Sequence, residues 1–345
     1  MNNPYCLTFG KEPYQLISRY VPFNEIIRIF TDEAPSQHIY MITGVRGSGK
    51  TVFMNSIAKE LREDKDWIII ELNSSGDLLE EMAQKLYYEP GMNKVFKESG
   101  ISLSFSGIGV EFKKKDIMSA NAEIVVEKML EKLNKKKKRV LITIDEAVNT
   151  KEMRLFASAF QIFVRKDLPL FLLMTGLYEN INSLQNEKNL TFLYRAPKIY
   201  LLPLNMGSMA DIYEKTLKMT SEKALMLAKE TKGYSFAFQV IGYFCFAYNG
   251  DYEKAKREIR QYLDDYVYEK IWAELPEKEK KIVTVIAVDK LNEVAEIKER
   301  LELKPNEFSV FRDRLIKKGI VDGRIRGRLE IALPFLDYYI REHEY

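Results

Sequence analysis

The sequence predicts an α/β protein in which a parallel sheet is followed by a helical region and a winged helix. Three observations support this prediction. Apolar segments that suit buried strands alternate with amphipathic helical segments over residues 37–204. The pattern then becomes wholly helical over residues 205–272. Residues 273–345 contain three helical segments and a hairpin, and residues 1–36 precede the first strand.

Length and composition limit the kind of protein. The chain has 345 residues, which suggests two or three domains, and 46% hydrophobic and 30% charged residues are typical of a well-packed soluble protein. A net charge of only +3 means that any nucleic-acid surface must be local. Two separate cysteines, Cys6 and Cys245, exclude a disulfide framework and favour a reducing cytoplasm. We expect no signal peptide and no membrane span.

The first predicted strand, residues 38–43, runs into a glycine-rich loop and a helix. Gly44-Val-Arg-Gly-Ser-Gly-Lys-Thr51 fits the phosphate-binding pattern G-x-x-x-x-G-K-[ST]. Glycines let successive N–H groups point into one concavity at a helix N-terminus, which favours a multiply charged anion. We expect Lys50 to reach the β- and γ-phosphates and the Thr51 hydroxyl to ligate Mg²⁺. The predicted nucleotide-binding residues are Gly44, Val45, Arg46, Gly47, Ser48, Gly49, Lys50, Thr51 and Val52.

The next elements continue the α/β pattern. Trp67-Ile-Ile-Ile-Glu-Leu72 is apolar on both faces, as a buried parallel strand requires. Helices are predicted from about residue 77 to 88 and from 124 to 133. The basic run over residues 134–139 follows the second helix, where positive charge is favourable against the helix dipole.

A hairpin insertion is predicted at about residues 100–113. Residues 101–112 alternate apolar and polar side chains around Gly107 and Gly109. The tip and the neighbouring Lys113-Lys-Lys115 could contact a partner or nucleic acid. The alternative is a solvated hairpin with a charged flank.

A later apolar strand, Val140-Leu-Ile-Thr-Ile144, ends in two carboxylates, Asp145 and Glu146. Charges at the end of a buried strand are costly unless the site needs them. We expect Asp145 to hold Mg²⁺ through water and Glu146 to polarise the attacking water. We also expect this strand to lie beside the strand that precedes the phosphate loop. The alternative is a strand that simply exits to solvent.

Two further residues are candidates for catalysis. Thr175 lies near the end of a buried strand over residues 167–176, where it could hydrogen-bond water or phosphate, or only cap the turn. Arg195 precedes a last strand over residues 198–202. It could stabilise charge on a transferring phosphoryl group in its own site or a neighbour's, or form a surface salt bridge.

The helical region over residues 205–272 has the size and position of a lid. Its predicted helices are Met209–Met219, Ser221–Glu230, Phe236–Tyr248 and Tyr252–Tyr268. In the winged helix, the predicted helices are Glu277–Val288, Val294–Leu301 and a third that opens at Pro305 and ends at Gly319. Residues 320–331 form the predicted wing.

Basic residues concentrate in the third helix and wing. Between Lys304 and Arg328 there are eight basic and three acidic residues, whereas residues 273–345 contain 15 of each. Such a module would meet double-stranded DNA at this surface. The alternative is a packing or protein-docking module, because fold alone does not give function. The candidate DNA contacts are Arg312, Lys317, Lys318, Arg324, Arg326 and Arg328.

The order of these motifs resembles that of the archaeal-type ATPases within the AAA+ class. Five segments carry the resemblance, in the order GVRGSGKT, LITIDE, LFLLMTG, LTFLYRAPKI and GYSFAFQVIG. The resemblance implies ATP with Mg²⁺, a five-stranded parallel core, a helical lid and a C-terminal winged helix. It implies phosphate contacts for Gly44 to Thr51, metal binding for Asp145 and catalysis for Glu146. Thr175 falls at the first sensor position and Arg195 near the arginine-finger region.

Two segments bear on how far this resemblance extends. Origin-recognition members have an arginine at the start of the third lid helix and STAND members have G-x-P, whereas this chain has Gly233-Tyr-Ser235. This departure leaves undecided whether the lid closes on the nucleotide and how fast the chain hydrolyses ATP. Phe9-Gly-Lys-Glu12 resembles the F-x-G-R-E segment near adenine in many AAA+ ATPases. The alternative is that residues 1–36 form a plain helical cap.

The functional hypothesis is an ATP-hydrolysing switch. ATP binding and hydrolysis would change the angle between lid and core and so reposition the winged helix or an interface of a homo-oligomer. The alternative is a nucleotide-gated signalling or defence scaffold whose winged helix binds protein. A kinase is disfavoured, because a carboxylate pair after the strand suits water as the phosphoryl acceptor.

Overall fold

The computed structural model describes residues 2–8, 10, 12–98, 101, 103–105, 110–112 and 122–343. The chain forms two compact units. We call Tyr20–Thr43 with Phe53–Ile199 the core unit, and Met1–Arg19, Gly44–Val52 and Tyr200–Tyr345 the helical unit.

Some predicted features lie outside the described residues. These are the hairpin tip with Gly107 and Gly109, the basic run Lys113 to Lys115, and Phe9 and Lys11 of the amino-terminal segment.

Helices and strands alternate along residues 20–200, as predicted for an α/β fold. In chain order they are α1 (Tyr20–Thr31), β1 (Ile39–Thr43), α2 (Lys50–Arg62), β2 (Trp67–Leu72), α3 (Leu78–Tyr88), α4 (Met92–Glu98), β3 (Leu103–Phe105), β4 (Val110–Phe112), α5 (Ala122–Lys135), β5 (Arg139–Ile144), α6 (Lys151–Arg165), β6 (Leu170–Gly176), α7 (Tyr178–Gln185), α8 (Thr191–Tyr194) and β7 (Lys198–Tyr200). The predicted order of strand, loop and helix around the glycine-rich loop is confirmed by β1 and α2.

Five strands form one sheet in the order β2-β5-β6-β1-β7, which confirms the predicted α/β class with a five-stranded sheet. The pairs β2–β5, β5–β6 and β6–β1 are parallel. Thr43 pairs with Gly176, and Ile144 pairs with Met174, so these three strands end at one edge of the sheet. Strands β3 and β4 form a separate antiparallel pair.

One prediction about the sheet is wrong. We expected β5, which leads to Asp145, to lie beside β1, but β6 lies between them. All seven residues of β6 are buried, which suits a central strand covered on both faces. The error arose because the order of strands along the chain does not encode the order of strands in a sheet.

Both faces of the sheet are covered. On one face, alternate residues such as Met41 and Ile142 pack with helices α3, α5 and α6 in one buried cluster. On the other face, the rings of Tyr40 and Phe171 lie 5.7 and 4.9 Å from the ring of Phe30 in α1. Each large apolar side chain buried in this way contributes about 1.5–3 kcal/mol to the stability of the folded chain.

The remaining elements belong to the helical unit. In chain order they are α9 (Met206–Leu217), α10 (Ser221–Glu230), α11 (Ser235–Ala247), α12 (Tyr252–Leu263), a π-helical turn (Asp264–Tyr268), α13 (Glu269–Glu274), α14 (Glu277–Ala287), α15 (Val294–Arg300), α16 (Pro305–Lys318), β8 (Val321–Asp322), β9 (Glu330–Ile331) and α17 (Leu336–His343). The prediction of α10 is confirmed to the residue. The predicted helix over residues 252–268 is α-helical only to Leu263.

Residues 277–343 follow the predicted order of three helices and a hairpin. The Gly319 backbone is left-handed at φ +76° and ends α16, as predicted. Strands β8 and β9 pair antiparallel. Helix α17 was not predicted, and it buries Leu336 and Ile340 in the same cluster as Leu315 of α16. No helix of the described residues is long and apolar enough to cross a membrane.

Candidate active site

The phosphate loop, which we define as residues 44–51, links β1 to α2. Gly47 and Gly49 have left-handed backbones at φ +71° and +87°, conformations that side chains disfavour. A Cβ at Gly47 would overlap the Tyr234 hydroxyl and lie 2.8 Å from Phe236 Cβ. A Cβ at Gly44 would lie 2.7 Å from Ser48 Oγ. The glycines are therefore needed for both the backbone shape and the close packing of this loop.

The donors of the phosphate loop suit a multiply charged anion. Lys50 Nζ donates to the carbonyls of Gly44 and Val45 at 2.9 and 3.0 Å, which holds the ammonium at the loop. Helix α2 begins at Lys50, so its first N–H groups and the positive end of its dipole lie there. Ser48 Oγ is buried and has no hydrogen-bond partner among the described residues. These groups fit the phosphates of a nucleotide.

The start of α11 holds the phosphate loop through three successive carbonyl groups. The Tyr234 hydroxyl donates to the Arg46 carbonyl, the Phe236 N–H donates to the Gly47 carbonyl at 3.1 Å, and Ser235 Oγ donates to the Ser48 carbonyl at 3.0 Å. Burial raises the pKa of Tyr234, so its hydroxyl stays protonated and can donate this hydrogen bond. Sequence reasoning missed this contact. Its only signal was that Gly233-Tyr-Ser235 departs from the arginine or G-x-P of related ATPases.

Two further contacts join the phosphate loop to the rest of the helical unit. Arg46 pairs with Glu274 of α13 through both carboxylate oxygens, with N–O distances of 2.6 and 3.1 Å. A Cβ at Gly319, just after α16, would lie 3.6 Å from Val45 Cβ. The loop is therefore paired with Glu274, which precedes α14, and lies close to Gly319, which follows α16.

The core unit contains the predicted acidic residues. Thr175 Oγ in β6 donates to the Asp145 carboxylate, and the Glu146 N–H donates to Thr175 Oγ and to Asp145 Oδ1, each at 3.1 Å. Asp145, Glu146 and Thr175 are therefore brought together, because β5 and β6 are neighbours that end at the same edge. Thr175 is fully buried, so its hydroxyl depends on these two partners.

The backbone of Glu146 is unusual. Its φ of +51° is left-handed, which is uncommon for a residue other than glycine. Such conformations cost on the order of 1–3 kcal/mol and cluster at functional sites. The Glu146 side chain is exposed, and its carboxylate has no partner among the residues that the structure describes. This arrangement leaves a carboxylate available to accept a proton or orient water.

Arg195 takes no part in this group. It lies exposed at the carboxyl end of α8, and its guanidinium has no partner within the described ranges. Among the described residues there is also no group of three or more His, Cys, Asp or Glu side chains that could hold a metal ion. Mg²⁺ needs no such group, because it is usually bound by one or two carboxylates together with substrate phosphates and water.

The candidate DNA-binding residues differ in their pairing. Arg324 pairs with Asp322, Arg328 with Glu293 and Lys317 with Asp313. Arg326 is exposed, and Arg312 is half-buried and donates to the Gly323 carbonyl. Lys318 is only 8% exposed and pairs with the buried Glu279. We correct the predicted set here, because a side chain buried in this way is withdrawn from any DNA surface.

Comparisons with known proteins agree with this architecture. A family model described as an ATPase domain predominantly from Archaea matches residues 19–193. A model of a domain of unknown function matches residues 265–340. No curated protein matches this sequence.

Several solved structures have a similar fold. The Walker-type ATPase of Pyrococcus abyssi is 14% identical, with 94% of this chain and 96% of that chain covered and a TM-score of 0.64. Cdc6p from Pyrobaculum aerophilum is 16% identical, with 97% and 96% covered and a TM-score of 0.52. The ADP form of the Aeropyrum pernix ORC2 protein is 15% identical, with 97% of each chain covered and a TM-score of 0.51. At these identities the similarity concerns the fold.

Proposed function

The chain belongs to the family of ATPase domains found predominantly in Archaea, and from this premise we propose that it is an ATP-driven switch acting on its C-terminal region. Nucleotide binding and ATPase activity are properties of that family.

One observation carries the switch proposal, namely the three hydrogen bonds from the start of α11 to the phosphate loop. A loop that adjusts to nucleotide must move these bonded carbonyls, and so must move Tyr234, Ser235 and Phe236. The Arg46–Glu274 pair and the close approach of Val45 to Gly319 extend the same connection to α13 and to the end of α16. Binding energy at the loop can therefore bias the position of the lid and the C-terminal region.

We assign the hydrolytic roles as follows. Residues 44–52 bind the phosphates of ATP, with Lys50 neutralising charge near the β- and γ-phosphates. Glu146 orients or deprotonates the water that attacks the γ-phosphate, and Thr175 holds Asp145 in place. Asp145 and Thr51 are the proposed ligands of Mg²⁺, which would neutralise charge on the phosphate oxygens. Arg195, exposed at the end of α8, is the candidate for stabilising phosphoryl charge in its own copy or a neighbouring one.

Two variants test these assignments. We expect Lys50→Ala to abolish ATP binding, and Glu146→Gln to bind ATP normally while losing turnover by about 100-fold or more. Binding is measured with a fluorescent ATP analogue and turnover by phosphate release. Glu152→Gln, an exposed carboxylate in α6, is the control and should leave both quantities unchanged. Equal turnover in the Glu146→Gln protein would reject the catalytic role of that residue.

We propose double-stranded DNA as the partner of the C-terminal region. The support is the order of three helices and a hairpin, together with the basic α16 and wing. A protein partner is the second candidate. It is favoured by the pairing of Arg324, Arg328 and Lys317 with carboxylates, which reduces the positive charge on this surface.

Titration of a DNA duplex at two salt concentrations distinguishes the two partners. DNA binding should weaken as salt rises, because phosphate contacts release counterions. Replacing Arg324, Arg326 and Arg328 by alanine should weaken binding further and reduce the salt dependence. Replacing the exposed Lys135, Lys136 and Lys137 of the core unit is the matched control and should have a smaller effect. No duplex binding at low salt would favour the protein partner.

A further inference from the structure

Arg19 lies in the amino-terminal segment of the helical unit and contacts the phosphate loop. Its Nη2 donates to the Ser48 carbonyl at 2.9 Å, to the Leu202 carbonyl at 3.3 Å and to Ser235 Oγ at 3.2 Å. One guanidinium nitrogen therefore connects the loop, the segment before α9 and the first residue of α11.

The positive charge of Arg19 has no counter-charge among the side chains that the structure describes. Its contacts are two carbonyls and a hydroxyl, and within the described residues it forms no ion pair with an acidic side chain. Burial lowers the pKa of Arg19 to about 10. Its Nε is also buried without a hydrogen-bond partner in the described part of the chain. Neutral acceptors do not fully offset the removal of a charge from water, so an anion at this position would be stabilised.

The Arg19 guanidinium and the Ser48 hydroxyl lie at the loop that precedes α2. A Cβ at Gly49 would lie 3.5 Å from Arg19 Nη1, and Gly49 immediately precedes the first residue of α2. Ser48, which is 6% exposed, has a hydroxyl with no partner among the described residues. A cation, an unpartnered hydroxyl and a helix N-terminus therefore converge on residues 48–49, which is a favourable environment for phosphate.

We propose that Arg19 binds the phosphate groups of the nucleotide and simultaneously holds the lid residue Ser235 against the phosphate loop. This inference rests on the proposed nucleotide site at residues 44–52. It also explains how a lid helix that begins with Tyr234, Ser235 and Phe236, none of them cationic, is joined to a positive charge at the loop. Arg19 is then a binding residue that couples the nucleotide to the lid.

Competition against a fluorescent ADP analogue tests the proposal, with ATP and tripolyphosphate as the competing probes. Tripolyphosphate has the phosphate chain but neither base nor ribose. In Arg19→Gln and Arg19→Met, which remove the charge, we expect both probes to lose affinity by the same factor of about 10 to 100. Ser235→Ala removes the bonds of the Ser235 hydroxyl to Arg19 and to the Ser48 carbonyl but keeps the Arg19 charge, and it should change either affinity by less than about threefold.

Arg28→Ala is the matched control, because Arg28 is an exposed arginine on α1. It should leave both affinities unchanged. Thermal unfolding without ligand verifies that each variant is folded, and removal of an unpaired buried charge is not expected to lower the unfolding temperature.

The possible results separate the proposal from its premise. If the wild-type chain binds both probes and the two Arg19 variants bind them within twofold of wild type, Arg19 does not bind phosphate. A loss for ATP with no loss for tripolyphosphate would assign Arg19 to the base or ribose and also overturn the proposal. If the wild-type chain binds neither probe, the nucleotide site itself is rejected.

Discussion

The phosphate loop and the acidic group of Asp145, Glu146 and Thr175 are supported in different ways. The acidic group is held within the sheet, where β5 and β6 pair directly and Thr175 bonds both acidic residues. The phosphate loop is held by residues far along the chain, since Tyr234 and Ser235 follow Arg46 and Ser48 by 188 and 187 positions. The difference implies that the acidic group is fixed by the sheet, whereas the position of the loop depends on the start of α11.

The largest effect that tests this difference is expected at Gly47. Gly47→Ala places a Cβ against the Tyr234 hydroxyl and Phe236, and it also strains a backbone at φ +71°. We expect ATP affinity to fall by more than about 100-fold and the free energy of unfolding to fall by about 1–3 kcal/mol. Binding titration and denaturant unfolding measure the two losses.

Gly91→Ala is the matched control for Gly47→Ala. Gly91 has a similar φ of +81°, but a Cβ there would meet nothing within 4 Å. It should show the backbone strain without the loss of ATP affinity. If both variants bound ATP equally well, packing of α11 on the loop would have no role in nucleotide binding.

The next effect concerns the acidic group. Thr175→Val removes the hydroxyl that bonds Asp145 and the Glu146 N–H, and it leaves an Asp145 carboxylate oxygen and the Glu146 N–H with one partner fewer. We expect kcat to fall by about 10- to 100-fold while ATP affinity in the absence of Mg²⁺ stays unchanged. Thr175→Ser keeps the hydroxyl and should restore most of the activity. Turnover in Thr175→Val within twofold of wild type would show that Thr175 only packs in the sheet.

Asp264 provides a contrast to Asp145, whose carboxylate accepts hydrogen bonds from Thr175 and from the Glu146 N–H. Asp264 in the π-helical turn is 9% exposed, and its Oδ1 has no partner among the described residues. Burial raises the pKa of Asp264 from 3.8 to about 6, with opposing effects from His343 and Glu342 nearby. The folded chain therefore holds this proton more tightly than the unfolded chain, so its contribution to stability is lost as pH rises from about 4 to 6.

Asp264→Asn should remove this pH dependence. At pH 7 to 8 the variant should be more stable than wild type by about 1–3 kcal/mol, and below pH 4 the two should be similar. Denaturant unfolding at a series of pH values measures the difference. Asp265→Asn, which alters the exposed neighbouring carboxylate, is the control and should give a smaller change. A constant difference across pH would mean that Asp264 does not titrate in this range.

The features that the sequence predicted are those set by nearby residues. The phosphate loop follows from glycine spacing, β2 from a run of apolar residues, and the end of α16 from Gly319. The position of β6 between β5 and β1 could not be read from the order of strands along the chain. Helix α6 was missed, although Thr150 caps it by accepting from the Met153 N–H. Burial of Lys318 was missed because its partner, Glu279, lies on another helix.

The smallest expected effect tests a single bond between the lid and the phosphate loop. Tyr234→Phe removes the hydroxyl that donates to the Arg46 carbonyl but leaves the bonds from Ser235 and Phe236 in place. One neutral hydrogen bond contributes about 0.5–1.5 kcal/mol, so ATP affinity should change by only about two- to tenfold. Combining Tyr234→Phe with Ser235→Ala tests whether the lid acts as a unit, because both hydroxyls bond successive parts of one loop. If the double variant loses less than the sum of the two single free-energy changes, the two bonds hold the loop as a unit, whereas strict additivity would mean that each carbonyl is held independently.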